Sequence, residues 1–180
     1  MKKNIIYIVL VAILAVIAFV PGVKEMLKEQ FFPIATVEQA VKVDEADYDV
    51  VLKGINTSST NLKNFRGKKL VFLNFWGTWC APCREEWPSI QKLYDSRKDD
   101  MDFVLIAMQD KEEDVVKFLK ENSYTVPVYI AESPINGKIL PKVFPTTFVL
   151  DKNGRILIKE DATRDWNAES VHTFINNVIQ

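Results

Sequence analysis

The chain opens on an unbroken apolar run at residues 5–20, preceded by Lys2 and Lys3 and closed by Pro21 and Gly22. A helix in a soluble core keeps one polar face, and this segment has none. A bilayer core takes about 20 apolar residues, with a lower limit near 17, so the run is short but uncharged. A cleaved export signal would be followed by a small-x-small site, whereas Pro21-Gly22-Val23-Lys24-Glu25 comes next. Residues 1–22 are therefore predicted to be a retained transmembrane anchor. Lys2, Lys3 and the terminal amine favour a cytoplasmic amino terminus, against a weaker opposite vote from Lys24 and Lys28. That orientation puts the rest of the chain on the extracytoplasmic side of the cytoplasmic membrane. Val23, Met26, Leu27 and Phe31 continue at helical spacing as far as Pro33, and the pattern then weakens. Residues 23–47 are read as a juxtamembrane linker and 48–180 as the folded domain.

Within that domain the apolar positions alternate between two periods. Residues 48–52 suggest a short strand, 54–61 a turn-rich stretch and 62–65 a single helical turn. Residues 69–75 form a strand that is apolar on both sides, with Leu70 and Phe72 on one and Val71, Leu73 and Phe75 on the other. Such a strand belongs in the middle of a sheet covered on both faces. Residues 83–97 read as a helix with Ile90, Leu93 and Tyr94 inward and a kink at Pro88. Another buried strand follows at 102–107. Asp110 and Glu113 resemble a capping box opening a helix that carries Val115, Phe118 and Leu119. A short strand at 128–130 and an irregular stretch at 133–142 come next. Asp151-Lys152-Asn153-Gly154 then marks a hairpin between strands at 146–150 and 155–159. Val171, Phe174, Ile175 and Val178 close the chain as a helix. The order β-β-α-β-α-β-β-α predicts an α/β fold: a mixed central sheet with helices on both faces.

Charge and rare residues narrow the chemistry. The 180 residues carry 23 Lys+Arg against 24 Asp+Glu, which argues against a nucleic-acid partner. Two cysteines and one histidine, His172, leave too few ligands for a four-residue zinc site and no histidine close in sequence to a nucleophile. No metal or cofactor is expected. His172 is read as a surface or capping residue.

Cys80-Ala81-Pro82-Cys83 stands where the central strand passes into a helix. Residues three apart on a first helical turn share a face, within the ~4.4–6.8 Å Cα separation that a disulfide accepts. Pro82 fits the first turn, where its missing N–H costs nothing. Cys80 would face the unpaired N–H groups and positive dipole of the helix, which favour thiolate. It is expected to attack, and the more buried Cys83 to resolve. Three alternatives stand beside this: half of a zinc site, a purely structural disulfide, or two incidental buried thiols. Strand-to-helix placement favours redox chemistry.

The segment Phe75-Trp76-Gly77-Thr78-Trp79-Cys80-Ala81-Pro82-Cys83-Arg84-Glu85-Glu86-Trp87-Pro88 resembles the active-site stretch of thioredoxin-like proteins. More narrowly, its W-C-x-P-C-x-x-E-x-P pattern is similar to the TlpA/ResA-type membrane-anchored thiol-disulfide oxidoreductases. Phe144-Pro145-Thr146-Thr147-Phe148 resembles that family's cis-proline segment. The resemblance runs from about Tyr48 to the C-terminus and implies a thioredoxin fold. It implies that Glu86 is a buried carboxyl exchanging protons with the thiols, the alternative being that Glu85 and Glu86 complement the helix dipole in solvent. It further implies a cis bond at Pro145, with a substrate peptide docking beside Phe144. Trp79 is either a flat contact surface over the disulfide or core packing. Asn74 stands where thioredoxin carries a buried acid, and is read as a hydrogen-bonded buried amide.

The resemblance implies an extracytoplasmic reductant of disulfide-bearing client proteins, with apocytochrome c thiols as one client class and a membrane-embedded thiol reductant upstream. The soluble domain is expected to be monomeric. An oxidase or isomerase of the same fold, or a redox-switched membrane-tethered binding module, are the alternatives. The Pro-x-x-x-Thr/Ser-x-x-Cys signature of a peroxidase is absent.

Overall fold

A computed structural model describes residues 41–135 and 137–179. The predicted anchor at 1–22 and residues 23–40 of the predicted linker lie outside them. Seven strands form one mixed sheet: β1 (Val51–Gly54), β2 (Thr60–Asn61), β3 (Leu70–Trp76), β4 (Met101–Ala107), β5 (Val128–Ala131), β6 (Thr146–Leu150) and β7 (Ile156–Glu160). Their spatial order is β2-β1-β5-β4-β3-β6-β7. Strands β3, β4 and β5 run parallel, and the remaining pairings are antiparallel. Among the described residues three α-helices accompany the sheet: α1 (Ala81–Arg97), α2 (Glu112–Asn122) and α3 (Glu169–Ile179).

The two-sided apolar strand behaves as its pattern predicts. All seven residues of β3 are buried between β4 and β6. On one face Phe72 meets Trp166 edge-on at 4.9 Å, and Trp76 meets Trp87 of α1 at 4.4 Å. Phe118 of α2 joins the same aromatic group, 5.2 Å from both Trp76 and Trp87. On the other face Val71, Leu73 and Phe75 pack with Val104, Ile106, Phe148 and Leu150.

The expected helices on both faces are found on one face only among the described residues. Among the described residues, the cluster on the Val71–Leu73–Phe75 face contains no α-helical side chain. Tyr48, Leu62 and Ile139 cover it from three short 3-10 turns, Glu45–Tyr48, Leu62–Phe65 and Gly137–Ile139. Single turns cannot show a 3.6-residue repeat, so periodicity does not reveal them as a layer.

The domain also starts earlier than the pattern suggests. Residues 41–47, assigned to the linker, pack onto the hairpin. Val43 is fully buried and its N–H donates to the Gly154 carbonyl at 2.8 Å. Lys42 forms a β-bridge with Arg155. The strand expected at 48–52 is displaced to Val51–Gly54 because the chain first turns at 45–48, where the Asp44 N–H donates to Asp47. The 151–154 hairpin is as predicted: Asp151 Oδ1 accepts from the N–H of Asn153 and of Arg155, each at 2.8 Å, and Gly154 takes φ +81°. The capping box expected at Asp110 does not form. Lys111 occupies the cap of α2 without a side-chain bond, and Asp110 turns to the loop before Cys80.

Candidate active site

Central strand β3 ends at Trp76, and Gly77, Thr78 and Trp79 turn the chain into α1. Cys80 is the capping residue of α1. Its N–H donates to the Gly77 carbonyl at 3.1 Å, and its Sγ accepts from the N–H of Cys83 at 3.3 Å. Pro82 lies in the first turn, where no donor is lost. Cys80 and Cys83 are joined as a disulfide with Cα atoms 5.3 Å apart. Cys80 keeps 5% of its surface open and Cys83 none. After reduction, the amide donors and helix dipole around Cys80 stabilise negative charge on that sulfur. Of the two cysteines, only Cys80 retains any open surface.

The turn before Cys80 is held from two sides. Asp110, in the β4–α2 loop, accepts from the Thr78 N–H at 2.6 Å and from its hydroxyl at 2.7 Å. Arg84 Nη1 donates to the Thr78 carbonyl at 3.0 Å. Sequence reading missed this use of Asp110. The signal is the parallel β3–β4 register, which sets Trp76 beside Ala107 and brings the two strand-end loops together.

Trp79 is half exposed. Its indole N–H donates to the Met108 carbonyl at 3.0 Å, and its ring meets Phe144 edge-on at 5.5 Å. Gly77 makes room for that pose: a Cβ there would stand 2.5 Å from Trp79 Nε1. The Phe144–Pro145 bond is cis. It leads directly into β6, whose Thr146 pairs with Phe75 of β3. Trp79, Phe144 and Pro145 therefore gather at the sheet end from which the Cys80 turn departs.

Glu86 lies one turn beyond Cys83 on α1 and is 1% exposed, which settles its side of the helix: it faces inward, and only Glu85 faces solvent. Its Oε1 accepts from Asn74 Nδ2 at 2.9 Å, and its Oε2 from Trp166 Nε1 at 3.1 Å and the Arg164 N–H at 3.4 Å. Burial pushes the carboxyl up to about 7; the bonds from Trp166, Asn74 and Arg164 pull against it, and Glu160 adds a small push. Asn74 is the buried amide expected, and also donates to Thr147 Oγ1 at 2.8 Å. Trp166, Arg164 and Thr147 did not emerge from the sequence, since no local motif marks them. His172 lies elsewhere: its Nδ1 accepts from Arg97 at 3.1 Å, tying α3 to α1.

A cysteine pair at the head of the helix that follows the central strand, with a cis-proline entering the neighbouring strand, defines a thioredoxin-fold thiol-disulfide oxidoreductase. The chain belongs to the Redoxin family, whose profile matches residues 39–173. It is 33% identical over 138 residues to the thiol-disulfide oxidoreductase ResA of Bacillus thuringiensis subsp. konkukian, covering 72% of this chain and 77% of the relative. It is 35% identical over 111 residues to the thioredoxin-like protein YneN of Bacillus subtilis, covering 60% of this chain and 65% of that one. Among solved structures, a thiol:disulfide interchange protein DsbE from Chlorobium tepidum aligns with TM-score 0.62 at 25% identity, over 81% of this chain and all of that one. The resemblance to ResA-type oxidoreductases thus holds, and the enzyme class follows from it.

Proposed function

We propose that the protein reduces disulfides of client proteins while tethered to the outer side of the cytoplasmic membrane. The observation that carries this reading is the asymmetric cysteine pair: Cys80 caps the helix N-terminus with 5% of its surface open, and Cys83 is fully buried one turn inside. In the dithiol form, the Cys80 thiolate attacks one sulfur of a client disulfide, and the other client sulfur leaves as a thiolate. Cys83 then attacks Cys80 Sγ, which releases the second client thiolate and leaves the Cys80–Cys83 disulfide. Two electrons pass to the client. Cys83 must lose a proton before it attacks, and Glu86, buried one turn away and raised to about 7, suits that acceptance near neutral pH. The exposed Trp79, edge-on to the partly buried Phe144, offers an aromatic surface to the client chain beside the reactive sulfur. The cis Phe144–Pro145 segment offers backbone for strand-like docking and no N–H from Pro145 to compete for the sulfur.

The apolar run at 5–20 supports the tether, and the resemblance to the TlpA/ResA type supports an extracytoplasmic domain fed by a membrane-embedded thiol reductant. Apocytochrome c thiols are the client class we favour on that basis. Two experiments test the reading. Cys83→Ala should trap clients as mixed disulfides on Cys80, and their identification tests the client class. Equilibration in glutathione buffers should give a reducing couple; a potential near the oxidising end of the known range, ~ −120 mV, would remove the reductase assignment.

A further inference from the structure

The segment between β7 and α3 carries no regular structure, yet it is bonded to the active-site helix. Thr163 donates its hydroxyl to the Pro82 carbonyl at 3.1 Å. The Ser89 hydroxyl accepts from the Trp166 N–H at 3.0 Å and faces the Arg164 carbonyl at 3.4 Å. These contacts seat the fully buried Trp166 with its indole N–H on Glu86 Oε2. Phe72 fixes the ring edge-on at 90°, and the Arg164 guanidinium lies 5.4 Å from its centroid.

An indole N–H donates and never accepts, and the same holds for a backbone N–H. Oε2 of Glu86 is therefore met by two donors, the Trp166 indole N–H and the Arg164 N–H, and both bonds are stronger to a carboxylate than to a neutral carboxyl. The other groups facing Glu86 are Asn74 from β3, which donates to Oε1, and Cys83 on its own helix. Thr147 of β6 stands behind Asn74. Glu160 at the end of β7, 3.6 Å from the Arg164 guanidinium, is the nearby negative charge. Burial opposes ionisation, so without fixed donors the carboxyl would stay protonated through neutral pH and could not take a proton from a thiol.

We propose that Trp166 is a positioning residue for proton exchange at the active site: its indole N–H stabilises the Glu86 carboxylate and keeps it available as a base. The inference rests on Glu86 acting as acid and base. What it adds is a distant loop residue, invisible to the CxxC motif, that sets how readily Glu86 gives up and recovers its proton.

The test is a carboxyl 13C NMR titration of Glu86 in the oxidised protein and in Trp166→Phe. Loss of one bond to a charged group should move the Glu86 midpoint up by about one pH unit or more. In the unaltered protein, the Trp166 indole N–H resonance should titrate with the same midpoint as Glu86 while that of Trp79 does not. This second readout needs no variant and stands even if Trp166→Phe folds poorly. An unmoved midpoint in folded Trp166→Phe, or a Trp166 N–H signal indifferent to Glu86 ionisation, overturns the proposal. The pH profile of thiol alkylation in Glu86→Gln separates the two claims. A profile identical to that of the unaltered protein removes Glu86 as acid and base, whereas the NMR titration alone decides whether Trp166 governs its ionisation.

Discussion

Glu86→Gln removes one titration from a fully buried site, and its effect on stability can be worked through. In the folded protein the carboxyl is pushed from an ordinary 4.5 up to about 7. The folded state therefore holds the proton more tightly than the unfolded chain does. Its contribution is fully present below pH 4.5 and is lost as the pH rises through 7. At about 1.4 kcal/mol for each tenfold change in proton affinity, that interval amounts to about 3 kcal/mol, an order of magnitude. Glutamine cannot ionise, so the variant should escape this loss. Urea unfolding of both proteins with the disulfide intact, at pH 4 and pH 8, should show the variant gaining about 3 kcal/mol relative to the unaltered chain between the two. Other titrating groups are common to both and cancel. A stability difference that is the same at both pH values would refute the reasoning, because it would mean that Glu86 ionises freely despite its burial.

Three further outcomes follow from particular contacts. Asp110→Ala leaves the Thr78 N–H and hydroxyl without their acceptor. It should cost about 1–3 kcal/mol in urea unfolding and lower turnover in insulin reduction, with Asp110→Asn recovering part of both. Gly77→Ala would bring a Cβ to 2.5 Å from Trp79 Nε1 and drive the indole off the Met108 carbonyl. A severalfold rise in KM for a protein disulfide, with kcat little changed, is the expected kinetic signature. Val43→Ala should cost about 2 kcal/mol in urea unfolding, since a fully buried side chain loses two methyl groups; an unchanged midpoint would return residues 41–47 to the linker.

The local features of this protein were legible because each obeys a short-range rule. The two-sided apolar strand at 70–76, the cysteine pair on a first helical turn and the Asp-Lys-Asn-Gly hairpin each depend on residues within a few positions of one another. So does the approach of Phe144 and Pro145 to β6. Even the inward side of Glu86 follows from its spacing of three from Cys83, once that helix face is known to be buried.

What tertiary structure alone decided involves groups brought together across long stretches of chain. Asp110 looks like a helix cap in sequence, and becomes a clamp on Thr78 only because β3 and β4 lie parallel and in register. Three 3-10 turns cover one sheet face, each too short to carry a period of its own. Trp166 stands 80 positions from the carboxyl it touches. Its hold on Glu86 is a matter of distance and desolvation, which arise when β7, the following loop and α1 close on one another. Hydrophobic spacing sets which residues turn inward; which buried polar groups then find each other is fixed by packing, because a buried donor or acceptor must be paired with whatever the fold brings within reach.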